Sequence, residues 1–133
     1  MDYLRIWADD DGVSHFTGVA LPFDVIPAEP GVAELWWSDG VSVDRVHFLT
    51  VRAVDQHPDW HRAPQCQFVT FLTGWVRLTA GDGEERFLPA GSTVLAEDLT
   101  GTGHVTEHEP GDHRVLVMPL EPRNDRPAGA APP

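Results

Sequence analysis

Apolar and polar positions in this chain come in short runs, and no segment keeps a sustained helical apolar repeat. Between the breaks lie β-branched and aromatic stretches of about five to eight residues, the composition of strands. The punctuation is dense, with 12 Gly and 12 Pro. The pattern predicts strands over residues 3–7, 14–23 (broken by Pro22), 32–37, 42–54, 67–72, 75–80, 85–88, 92–96, 104–109 and 114–119. Turns are read at Asp9-Asp10-Asp11-Gly12, Ser38-Asp39-Gly40, Gly81-Asp82-Gly83 and Pro89-Ala90-Gly91. Residues 55–64 hold two prolines and read as a loop, as does the Gly/Thr-rich stretch 98–103. Many short strands with frequent turns predict an all-β sandwich or barrel. The expected domain covers residues 1–121, with the core barrel at about 43–120, and residues 122–133, rich in Pro and Ala, read as a disordered tail.

Composition narrows the function. A length of 133 residues is one ordinary domain, and 41% hydrophobic residues suffice for a core. No apolar run is long enough to span a bilayer, and no charged-then-apolar leader opens the chain, so the expectation is a soluble cytoplasmic protein. The formal net charge of −12 disfavours nucleic acid and anionic membrane surfaces as partners. Every basic side chain is Arg. Without Lys there is no Schiff base and no phosphate loop ending in Lys. Cys66 is the only cysteine, so no intrachain disulfide forms, and it reads as a buried, inert thiol.

The stretch from His57 to Glu109 resembles a cupin domain. That superfamily carries G-x5-H-x-H-x3,4-E-x6-G followed by G-x5-P-x-G-x2-H-x3-N. Gln67 and Gly74 match the end of the first motif, which puts His61 on its first histidine. Gly91 opens the second, and His104 falls near its histidine. Asp59-Trp60-His61-Arg62-Ala63-Pro64, Ala96-Glu97-Asp98 and Gly101-Thr102-Gly103-His104 are similar to one branch of single-domain bacterial cupins. The resemblance implies a cupin or jelly-roll β-barrel (a double-stranded β-helix) with an added N-terminal strand region, and a homodimer. It departs from the motifs in four places. Ala63 stands for the second histidine, Gln67 for the glutamate, Glu97 for the proline and His108 for the asparagine. The usual cage of three His and one Glu is therefore incomplete.

Strand alternation puts Gln67, Val69 and Phe71 on one face and His104, Thr106 and His108 on another. If Gln67 points into the barrel, Val69 and Phe71 line it, giving an apolar pocket with a few polar groups. His104 and His108 are roughly 13 Å apart on a strand, too far to share one metal, so His108 is expected elsewhere along the barrel. His61, Gln67 and His104 could hold a divalent transition metal (Zn, Fe, Mn or Ni), with His57 or His15 as a third nitrogen. Without metal, His61 or His104 would serve as general acid or base, with Asp98 or Glu97 orienting a ring nitrogen. Gln67 would then bind a substrate oxygen, and Trp60 would contact ligand. His15, His47, His108 and His113 read as structural, and Trp36, Trp37 and Trp75 as core or dimer contacts. The first reading is an enzyme acting on an apolar or aromatic carbonyl-containing small molecule by cyclisation, dehydration or isomerisation. Some cupins of this size are polyketide cyclases. The alternatives are a metal-dependent dioxygenase and a non-catalytic small-molecule-binding module.

Overall fold

Side chains alternate along a strand, so a half-buried strand needs apolar residues at every second position. The chain supplies them repeatedly, and in the computed structural model, which describes residues 1–121, it forms eleven strands. They are β1 (Tyr3–Ala8), β2 (Ser14–Val19), β3 (Phe23–Ile26), β4 (Leu35–Ser38), β5 (His47–Ala53), β6 (Gln67–Phe71), β7 (Val76–Thr79), β8 (Glu85–Leu88), β9 (Thr93–Glu97), β10 (Val105–His108) and β11 (Gly111–Pro119). No described helix is long and apolar enough to cross a membrane. The expected tail at 122–133 lies outside the described residues.

The six-stranded sheet runs β2-β1-β9-β6-β11-β5, and a three-stranded sheet runs β10-β7-β8. All pairings are antiparallel except β1 with β9. Val76, Leu78 and Leu88 of the small sheet pack in one cluster with Ile6, Phe71 and Val115 of the large one. Each such side chain contributes about 1.5–3 kcal/mol by leaving water. The two sheets, antiparallel except at β1 and β9, close over one apolar core and make this an all-β barrel of the jelly-roll kind. The back of the large sheet carries a second cluster, in which Tyr3, Val19, Leu95 and Leu120 are buried against Val43 and Phe68.

The predicted strands needed three corrections. The run 14–23 ends as β2 at Val19, and β3 opens only at Phe23, because Pro22 has no N–H for a ladder. From 42–54 only β5 is extended pairing, and Val43 merely bridges to Leu120. The run 32–37 shrinks to β4, which pairs only with β3 in a separate two-stranded ribbon. Trp36 and Trp37 stand on that ribbon, 66% and 61% exposed, so they are not part of this chain's core.

Candidate functional site

Two loops that the prolines and glycines keep from regular pairing meet at the barrel mouth. His61 and His104 form an isolated antiparallel bridge, with His61 N donating to His104 O at 3.0 Å and His104 N donating to His61 O at 2.9 Å. This approach depends on Gly103, whose φ is +79° and whose missing side chain would run into the His61 backbone. A further bond, Ala63 N to Asp98 O at 3.2 Å, fastens the same loop to the end of β9. The imidazole rings of His61 and His104 end 4.6 Å apart between centroids, tilted by 56°.

Beneath the rings lies a cavity of about 350 Å³. Its walls are apolar: Val69 and Phe71 from β6, Val94 from β9, Val115 and Val117 from β11, and Leu78 from the small sheet. Its polar groups are His61, Gln67, His104, Thr106 and His108. Alternation explains the set. Gln67, Val69 and Phe71 take one side of β6, and Thr106 and His108 one side of β10, continuing from His104.

Asp98 sits behind His104 and does not line the cavity. It is fully buried, and its Oδ2 lies 2.5 Å from His104 Nδ1. Its Oδ1 has no hydrogen-bond partner among the described residues. An ionised carboxylate here can only accept, in which case Nδ1 donates and a neutral ring keeps its lone pair on Nε2. His61 is arranged alike at the mouth, with Nδ1 donating to the carbonyl of Asp59 at 3.1 Å. Glu97, the other candidate for orienting a ring, is on the opposite face of β9, where it pairs with Arg5 at 2.6 Å.

Several sequence expectations change here. His108 was expected elsewhere along the barrel, yet it lines the same cavity, because the even-numbered side chains of β10 all turn inward. Burial and the neighbouring His113 hold its pKa below the ordinary value. Trp60 does not reach the cavity. It lines an adjoining hollow with Gln56, His57 and Pro58, because the prolines carry the loop outward. Leu49 and Val51 of β5 complete the cavity wall, a role the sequence pattern did not reveal.

The donor set does not fit a resident metal. Three imidazoles, those of His61, His104 and His108, and a neutral amide line the cavity, but among the described residues no group of three His, Cys, Asp or Glu side chains converges. His15 supplies no third nitrogen, since its ring lies between Asp9 and Asp82 at 2.7 and 2.9 Å. His57 lines the adjoining hollow, not the cavity. Among the described residues the only carboxylate on these rings, Asp98, is turned to the far side of His104.

No protein-family model matches the chain, and no curated protein matches it. Among solved structures it is similar to a crystal structure of Fe(II) HppE in complex with substrate, at 14% identity and a TM-score of 0.43, covering 85% of this chain and 59% of that one. It is also similar to Fe(II)-HppE with the alternative substrate (S)-1-HPP, at 12% identity and a TM-score of 0.41, covering 86% and 63%. The chain thus spans about three fifths of the length of those proteins.

Proposed function

We propose that this protein is an enzyme that moves a proton on an apolar or aromatic carbonyl compound, as in an isomerisation, dehydration or cyclisation. The observation that carries the reading is the fully buried Asp98 carboxylate, 2.5 Å from Nδ1 of a histidine that lines an apolar cavity. Burying a carboxylate costs several kcal/mol unless its partner repays it, and here one oxygen is left without a partner. A simple binding pocket has no need of such a group. A general base does, because the carboxylate fixes the tautomer and steadies the imidazolium that proton transfer creates.

His104 would take the proton on Nε2 and return it at another atom of the substrate. Gln67 would donate from its amide to the carbonyl oxygen, where charge develops in an enolate-like transition state. The valine and phenylalanine walls would exclude water and strengthen both interactions. His61, exposed at the mouth and beside His104, would pass protons to and from solvent. The dioxygenase alternative requires a metal centre, and among the described residues the imidazoles of the cavity do not converge with a third ligand of comparable strength.

Exchange of α-hydrogen for deuterium in a panel of aryl ketones, followed by NMR, tests the reading. Exchange above the buffer rate that falls to background in His104→Gln is the expected result. Exchange that persists unchanged in the variant would exclude His104 as the base.

A further inference from the structure

Residues 56–61 run along the outer edge of β10 and are fastened to it at two places. At one, Gln56 imitates a peptide group: its Nε2 donates to His108 O at 2.8 Å, and its Oε1 accepts from His108 N at 2.9 Å. At the other, His61 and His104 exchange their backbone bonds. On the opposite edge, Val105 and Glu107 stand against Thr79 and Arg77 of β7, and Glu109 N donates to Trp75 O. Successive residues of an antiparallel strand direct their N–H and C=O to alternate edges. Thr106, midway between the fastenings, therefore points its N–H and C=O at the strap. No described residue hydrogen-bonds to them, because His57, Pro58, Asp59 and Trp60 bow away at that level.

The bow encloses a hollow of about 390 Å³, and His61 and Thr106 line both this hollow and the barrel cavity. One wall of it offers a backbone donor and acceptor spaced as a strand spaces them. Another offers the half-exposed indole of Trp60. A flat group carrying its acceptor and donor on the same side, as a primary carboxamide does and as the Gln56 side chain does at His108, pairs with such an edge and stacks on an indole face.

We infer that this hollow is a second subsite, which holds an amide-bearing arm of the same ligand whose apolar part fills the barrel. The inference rests on the barrel cavity being the substrate site and adds the class: an elongated molecule with an apolar or aromatic body joined to a primary carboxamide.

2-Phenylacetamide and methyl phenylacetate test it, since they share the benzyl body and the carbonyl acceptor and differ in the N–H donor. Titration is followed by the backbone amide signal of Thr106, the indole N–H of Trp60 and the side-chain signals of Phe71 and His104. The amide should bind about five- to tenfold more tightly than the ester and shift Thr106 and Trp60. Thr106→Pro removes the N–H that faces the strap and leaves the β7 ladder intact, so it should weaken both compounds, which offer that N–H the same carbonyl, while the C=O it keeps still favours the amide. Thr106→Val, which keeps the N–H, should retain the preference. Should Thr106→Pro not fold, the Thr106 shift in the unaltered protein decides. Equal affinities, with Phe71 and His104 shifting but Thr106 and Trp60 unmoved, would overturn the subsite while leaving the barrel reading intact. No shift at Phe71 or His104 with either compound would overturn both.

Discussion

Asp98 and His104 are joined through Oδ2 and Nδ1 at 2.5 Å, and this contact decides which ring nitrogen faces the cavity. Asp98→Asn keeps the shape and lets the new amide donate to Nδ1, which moves the ring hydrogen to Nε2. Turnover should fall by on the order of 10²–10⁴ while stability holds or rises, since a buried charge is gone. His104→Ala has the opposite balance: it strands the carboxylate and should cost about 3–5 kcal/mol in denaturant unfolding.

Gly103→Ala tests the backbone approach that brings the two imidazoles together. The position combines a φ of +79° with contact against the His61 backbone. A loss of about 1–3 kcal/mol is expected by chemical denaturation. The His61 and His104 backbone amide signals should shift with it.

Two histidines outside the dyad give the fold opposite pH dependences. His15 is hydrogen-bonded to Asp9 and Asp82, which raises its pKa above 6.5, while the His15 contact lowers Asp9 below 3.8. The Asp9 contribution is complete above 3.8 and is lost as pH falls through the lowered value. The His15 contribution is complete below 6.5 and is lost as pH rises through the raised one. His108, depressed by burial and then by His113, works the other way and makes the fold less stable as pH drops below 6.5. Thermal unfolding should show His15→Gln losing more stability at about pH 5 than at about pH 9, and His108→Gln losing less. Parallel profiles for both variants would contradict the assignment.

Metal analysis of the purified protein should find no stoichiometric transition metal. Gln67→Glu restores a carboxylate beside two imidazoles and should raise zinc or iron affinity at least tenfold in a competition assay, as an anionic oxygen is a stronger ligand than an amide. A full equivalent of metal in the unaltered protein would show that the two imidazoles and the amide suffice.

The barrel was legible because apolar alternation in 67–72 and 75–80 and the glycine turns between them are local signals. The position of His104 was legible from motif spacing, and the shared face of Gln67, Val69 and Phe71 on β6 followed from the period of a strand. What stayed hidden is set by contacts between distant segments. Strand β5 lines the cavity through Leu49 and Val51 only because β11 places it there. The separation of Asp98 from Glu97 is decided by which face of β9 turns inward. Trp60 leaves the cavity because Gln56 and His61, not Trp60, fasten the strap to β10.

One hydrogen decides whether His104 can act as the base, and nitrogen-15 spectra of the histidine rings locate it. For His104 at neutral pH the hydrogen should be on Nδ1, with Nε2 unprotonated and its signal moved when a carbonyl compound binds. A neutral His104 carrying its hydrogen on Nε2, with Nδ1 bare against Asp98, would contradict the account.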